Sequence, residues 1–326
     1  MGNKKNLYIP ALILSVLMVF TGCATTLNVR VKRPAKMDVK DAKTIAVLPF
    51  QTPEWTMKVG PGKRVNILDW VYDRYHDDDA WACANYITNT LTKKLFDGKH
   101  YTLAEAYTVQ NQVMTGKTPS ADIYVSGKID YLNVYDDVSV NKRTENGKVV
   151  YYKTYSRHVS AGVTYMVIDS KTNMLIDMRT RDLSGFSGER KDPQSLPSAF
   201  SLIKGDLNDV VNAMTRELQP YYVDKSIKLL SDKSKDPDMK IADEMVKNDL
   251  WEEGYNKYKK IYENTGLFEA GYNASMILEA LGRYQEAKAI MTELVDTTGN
   301  KKAIRALSDI NSEIYSEKRL KEQTAE

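Results

Sequence analysis

The pattern of apolar and polar positions changes period along this chain, and the change divides it. Thr44-Ile45-Ala46-Val47-Leu48-Pro49-Phe50 is a short run, apolar on both faces and closed by proline, which suits a central strand. Residues 51–78, with Pro53, Gly60, Pro61 and Gly62, read as a long loop. From Asp79 the period becomes helical, with Trp81, Ala84, Thr88, Leu91 and Leu95 at three- and four-residue spacing up to Gly98. A strand near 101–103 and a helix near 104–114 follow, the latter stopped by Gly116 and Pro119. Residues 121–140 then alternate as a strand, and Asn146-Gly147 signals a type I′ hairpin, because both central positions need positive φ. The return strand covers 149–168, Asp169 to Asn173 turn the chain, and a third strand covers 174–183. A loop with Gly185, Gly188, Pro193 and Pro197 leads to a helix over 199–218.

From about residue 236 helical periodicity persists to the end of the chain, and it carries an internal repeat. Trp251 and Gly254 recur 33 residues later as Tyr284 and Ala287. The small residues let paired helices approach closely, and the aromatic residue three positions earlier fills the groove between them. The segment from Tyr272 to Ala287 resembles a tetratricopeptide repeat; about two repeats fit, near 235–267 and 268–301, with a capping helix over 302–318. The expected fold class is therefore α/β: a sheet with an antiparallel meander and covering helices, followed by a C-terminal α-helical repeat module.

The amino terminus has a different pattern. Lys4 and Lys5 precede an apolar stretch from Leu7 to Phe20 that ends at Thr21-Gly22-Cys23. It is shorter than the ~20 apolar residues that span a bilayer and has the length of a signal-peptide core. Small residues before a cysteine resemble a bacterial lipobox, which implies cleavage after residue 22 and lipid on Cys23; an ordinary secretory signal with an incidental cysteine is the alternative. By the same resemblance, Ala24 rather than Asp after the cysteine implies the outer membrane, with the protein facing the periplasm. Residues 23–42, including Arg33-Pro34, read as an extended lipidated tether, followed by an α/β domain over 43–225.

Composition changes this picture little. The chain of 326 residues is 42% hydrophobic and 27% charged with a formal net charge of +3, which falls to +1 when residues 1–22 leave with Lys4 and Lys5. Such a balance offers no electrostatic case for nucleic acid. With Cys23 acylated, Cys83 has no partner and reads as a small buried hydrophobe rather than a reactive thiol.

Four features in order, a lipidated Cys23, Ile45-Ala46-Val47-Leu48-Pro49-Phe50, Ala121-Asp122-Ile123-Tyr124-Val125-Ser126-Gly127 and Val163-Thr164-Tyr165-Met166-Val167-Ile168-Asp169-Ser170-Lys171-Thr172-Asn173, resemble the curli-secretion lipoprotein family (CsgG-like) over about 43–220. That resemblance implies an oligomer whose hairpins enter the outer membrane. The matching hairpin, 136–153, gives Asp, Val, Val, Lys, Thr, Asn in one register and Asp, Ser, Asn, Arg, Glu, Gly in the other. Neither is a lipid face, since a charge there costs about 2–4 kcal/mol near the bilayer midplane. The second insertion, 185–193, is a polar loop with proline.

Catalytic chemistry is sparse in the sequence. His76 lies among Asp69, Asp73, Asp77, Asp78 and Asp79, but the spacing lacks the alternation and glycine of a calcium loop, and three consecutive aspartates suit a helix N-cap and first turn. His100 and His158 stand alone. Gly60-Pro61-Gly62-Lys63-Arg64 lacks the first glycine and the final Ser/Thr of a phosphate loop, and Gly185-Phe186-Ser187-Gly188 has the wrong spacing for a nucleophile elbow. The expectation is a non-catalytic envelope lipoprotein without cofactor beyond its covalent lipid, which binds an envelope protein or another copy of itself. An export-channel subunit and a periplasmic metal-dependent enzyme are the alternatives. Candidate contact residues are Tyr151, Tyr152 and Tyr155 on the hairpin and Tyr255 and Tyr258 in the repeats, each also readable as strand or interhelical packing.

Overall fold

A computed structural model describes residues 25–37, 39, 42–53, 67–232, 234 and 236–324. In chain order these form β1 (Thr26–Arg33), β2 (Thr44–Val47), α1 (Ile67–Gly98), β3 (Thr102–Leu103), α2 (Ala106–Met114), β4 (Ile123–Glu145), β5 (Lys148–Asp169) and β6 (Leu175–Phe186). A 3-10 turn (Pro193–Ser195) precedes α3 (Ala199–Leu218) and β7 (Tyr221–Lys228). Then come α4 (Pro237–Lys247), α5 (Trp251–Thr265), α6 (Phe268–Ala280), α7 (Tyr284–Thr298) and α8 (Lys301–Thr324). The molecule is thus mixed α/β with a helical C-terminal region. It divides into a sheet unit, Lys32–Tyr221 with the chain end from Arg319, and a helical unit, Tyr222–Lys318 with the described residues up to Val31.

In the sheet unit the five strands run in the order β3-β2-β4-β5-β6. β2 pairs in parallel with both β3 and β4, and β4, β5 and β6 form an antiparallel meander. The hairpin turn is the one its Asn-Gly pair dictates, with Asn146 at φ 48° and Gly147 at φ 76°. Ile45, Val47, Val125, Val163, Tyr165 and Val167 face α1 and α3, whose Ile87, Leu91, Leu95, Ile203, Leu207 and Met214 complete the main core. α2 covers the other face over β2 and β4, through Val109 against Ala46, Leu48 and Tyr124. Gly127 has a specific reason: a Cβ there would lie 2.2 Å from the buried Phe50 ring.

Two readings change. α1 begins at Ile67, twelve residues before the expected start at Asp79, so the aspartate run interrupts no helix. Asp79 caps another helix instead of its own: its buried carboxylate accepts from the N–H groups of Ala199 (3.0 Å) and Phe200 (3.1 Å), at the start of α3. Correspondingly, the buried stripe of α1 runs through Ala80, Cys83, Ala84, Ile87 and Leu91, and Trp81 is 67% exposed. The second change lies in residues 24–42. The expected tether contains a strand, β1, which pairs with β7 in a two-stranded sheet. Its Leu27 is buried in the core of the helical unit with Ile227 and Leu229 of the β7 segment. A lone strand without a long apolar run looks like linker, because the partner that pairs it is almost 200 residues away.

The repeat in the helical unit is physical. α5 and α7 begin 33 residues apart, each ends at a left-handed glycine, Gly266 and Gly299, and the turns before them place Asp249 and Gly282 at positive φ. α4 with α5 and α6 with α7 form the two helical pairs, and α8 follows.

Candidate functional site

The β4–β5 hairpin outruns its neighbours. β6 pairs with β5 only from Ile168 to His158, whereas β4 and β5 stay paired to Glu145 and Lys148. The outer ten residues of β4, Asp136 to Glu145, thus form an arm with β5 that is about 34 Å long at 3.4 Å per residue. Leu132 opposite Ala161 and Val134 opposite Val159 belong to the core or pack against it. The same alternation continues outward as Asp136 opposite Arg157, Val138 opposite Tyr155, Val140 opposite Lys153, Lys142 opposite Tyr151 and Thr144 opposite Val149. The face that carries the core therefore runs out past α1 and α3, and there Val138, Val140, Val149 and Tyr151 are exposed, Tyr151 to 69%. On the opposite face Thr154 and Ser156 are buried, and Asn141 donates to Thr154 Oγ1 at 2.8 Å.

A fork fixes the base of the arm. Arg157 donates Nε and Nη2 to the two Asp136 oxygens at 2.7 and 2.8 Å, and Nη1 to the Pro197 carbonyl at 2.9 Å. The Arg157 side chain is 11% exposed, so this bidentate pair works in a partly desolvated place. Tyr155 exchanges backbone bonds with Arg190 at 2.8 and 2.7 Å, which extends the β6 side by one bridge. On the outer sheet face Tyr135 stacks on His158 at 4.7 Å, and His158 meets Phe186 at 4.7 Å.

Three of the five candidate tyrosines are on the arm: Tyr151 is exposed, Tyr152 is half-buried under the Arg143 guanidinium at 5.4 Å, and Tyr155 is half-buried. The two in the repeats offer no contact surface, which corrects their place among contact residues. Tyr258 is fully buried and donates its hydroxyl to the Asp243 carboxylate, and Tyr255 is buried beneath Arg283 at 5.2 Å. Burial and that carboxylate hold the Tyr258 phenol far above its ordinary value. Trp251 packs against the helical core, and Tyr284 is half-buried. Gly254 and Ala287 are buried, and a Cβ on Gly254 would sit 2.5 Å from Val246 Cγ2, so α4 and α5 approach where only glycine fits.

The alternate helices of the repeat unit hold a segment of the chain itself. Asn273 on α6, completely buried, accepts from Leu230 N–H at 2.7 Å and donates to Leu230 C=O at 2.9 Å. Lys225 of β7 donates to Glu279 of α6 at 2.6 Å and to Glu313 of α8 at 2.5 Å. Burial lowers and the two carboxylates raise the affinity of Lys225 for its proton, and the carboxylates prevail. Burial holds Glu279 above the ordinary carboxylate value because one ammonium serves two acids and Glu279 Oε2 has no partner. Asn273 lies within the Tyr272–Ala274 stretch that carried the repeat resemblance, while Lys225 and Glu313 have no local signal in the sequence.

Asp122 is also more than a motif letter. Its Oδ2 accepts from Lys43 N–H at 3.0 Å and from Thr44 N–H and Oγ1 at 2.9 and 2.8 Å, which pins the start of β2 beside β4. Partial burial opposes these bonds, but they prevail and hold its carboxyl below the ordinary value. Cys23 lies outside the described residues, as do the side chains of Asp69, Asp73, His76 and Asp77. Among the described residues no group of three His, Cys, Asp or Glu could hold a metal ion, and no helix is long and apolar enough to cross a membrane. Cys83 is buried, and burial with Asp79 nearby pushes its thiol up to about 12.

No family model and no curated protein matches the chain. Among solved structures, the chain is similar to a PelC L103M dodecamer subunit from Paraburkholderia phytofirmans, at 15% identity and TM-score 0.25 over 60% of this chain and 99% of that one. It is similar to the hypothetical protein CT253 from Chlamydia trachomatis at 14% identity and TM-score 0.29, over 53% and 96% of the two chains. It is also similar to lipoprotein GNA1162 from Neisseria meningitidis at 9% identity and TM-score 0.21, over 54% and 97%. Scores this low carry no argument about the activity of this chain.

Proposed function

We propose that this chain is a non-catalytic lipoprotein of the bacterial envelope, anchored through Cys23 in the outer membrane and facing the periplasm, which recruits a protein partner along its β4–β5 arm. The sheet unit would then be a CsgG-like module and the helical unit a tetratricopeptide-like one. One observation carries the reading: the core-bearing face of the hairpin continues past its covering helices and exposes Val138, Val140, Val149 and Tyr151. Exposed apolar side chains in one row mark contact surfaces, and tyrosine adds area with a polar tip. A lipid anchor would add affinity by confining both partners to one surface.

The arm also bears on the channel alternative. Lys142 and Lys153 interrupt its apolar row, and a lysine facing lipid near the midplane costs about 2–4 kcal/mol. A protein-facing row tolerates them, because lysine stems cover apolar surface while their heads stay in water.

The test is a photo-crosslinker at position 151 in cells, with one at exposed Met114 on α2 as control. A discrete adduct at 151 and none at 114 is expected, and the adduct mass separates a second copy from another protein. Crosslinking at neither position, or a mature protein whose Cys23 carries no acyl chain, removes the reading.

A further inference from the structure

A second feature of the sheet unit is electrostatic. A cavity of about 680 Å³ lies within it, lined by Lys32, Lys43, Lys99, Arg319 and His100, with Glu322 the lone carboxylate among the lining residues. Its volume falls in the range that holds small molecules or headgroups, too small for a folded partner. The walls are fastened. Gln323 accepts from Ala35 N–H at 2.7 Å and donates to Ala35 C=O at 3.1 Å, and Arg319 Nη2 donates to the same carbonyl at 3.1 Å. Lys99 is held at φ 54°, a left-handed turn that lets the chain leave α1 and present Lys99 and His100 side by side.

What sets these cations apart is that four of them line one cavity with a single carboxylate, Glu322, among them. Other cations of the protein do meet acids, as Lys93 meets Asp97, Lys128 meets Asp130 and Lys257 meets Asp238. Among the described residues Lys32, Lys43, Lys99 and Arg319 form no ion pair. Four like charges around one hollow repel, and a bound anion converts that repulsion into attraction. Burial first, and then the charge of Lys32, lower the pKa of His100 and so disfavour its protonated form.

The geometry points to a binding site for a phosphate-bearing ligand in this cavity. Phosphate suits the set, because a guanidinium offers paired donors while lysine ammoniums act as mobile point charges. Both a soluble phosphate compound and the phosphate of a lipid headgroup present this chemistry.

The test follows the His100 imidazole by NMR in the full chain, its signal assigned by its loss in His100→Asn. Inorganic phosphate is one arm, and short-chain phosphatidylglycerol below its micellar concentration is the other. An anion bound beside the imidazole favours its protonated form, so its apparent pKa rises by about 0.5 or more on binding. Saturation by millimolar phosphate assigns a soluble ligand. Saturation by the lipid at lower concentration than phosphate assigns a headgroup. Lys43→Glu and Lys99→Glu, both at exposed positions that leave the core intact, are each expected to weaken binding about tenfold. No response of His100 to either compound, or a response unchanged in the Lys43→Glu, Lys99→Glu double variant, overturns the assignment.

Discussion

Two ribbons of alternating residues in this protein meet different ends. In the helical unit, β1 and β7 set Leu27 and Ile227 into the helical core, Leu230 is clamped by Asn273, and Lys225 is answered by two glutamates. In the sheet unit, β4 and β5 carry their apolar row beyond α1 and α3 and leave it uncovered. Both have the same local grammar, strands with one apolar face. The difference is whether a helix arrives to cover that face. A helical array whose alternate helices already hold an extended segment of their own chain has used its backbone-clamping asparagine. The uncovered arm has not used its apolar row, and it is the better place to look for a partner.

The comparison breaks most visibly at Lys225. Lys225→Met takes the ammonium away from the buried Glu279 carboxylate, and removing one partner of a buried ion pair costs about 3–5 kcal/mol. Urea denaturation followed by circular dichroism should show that loss in the helical unit; a change below about 1 kcal/mol would mean the ribbon is not held as described. Asn273→Ala leaves both backbone groups of Leu230 unpaired and is expected to cost about 2–3 kcal/mol by the same measurement.

A pH series sharpens the same point. Burial raises the Glu279 pKa above its ordinary 4.5, so at intermediate pH the folded unit holds a proton that the unfolded chain has released. The contribution of Glu279 to stability is greatest below about pH 4.5 and declines as the pH rises through its folded pKa. Glu279→Gln should remove that decline, so the stability difference between variant and parent should grow toward neutral pH; a difference flat with pH would mean the acid is ionised throughout. The smallest effect is on the arm. Tyr151→Ala should change stability by less than about 0.5 kcal/mol, because the side chain is exposed, while it abolishes the crosslinked adduct seen from a neighbouring position such as 149. Loss of stability with Tyr151→Ala would make the arm a folded part of the core instead of a contact surface.

Much of this architecture was legible because its signals are local. Asn146-Gly147 marked the hairpin, the 33-residue recurrence of Trp251 and Gly254 marked the helical pairs, and the apolar spacing of α3 matched its helix. Asp79 was misread because a carboxylate at the start of a period caps whichever helix end lies nearest in space, and that end is 120 residues away. Tyr255 and Tyr258 could be contact or packing residues on spacing alone, since a helix stripe does not say which side its neighbours occupy.

By itself the sequence determined the strand–helix entry, the meander, the covering helix over 199–218 and the C-terminal helices, but not β1, β7 or the first twelve residues of α1, because periodicity, turn chemistry and small-residue spacing act over a few residues. Only the tertiary structure decided that residues 26–33 pair with 221–228, that Lys225 meets two acids and that four cations ring one cavity. It also decided that the hairpin outruns its helices. Each of these depends on which distant surfaces meet, and burial and charge acquire their energies only when those surfaces are brought together.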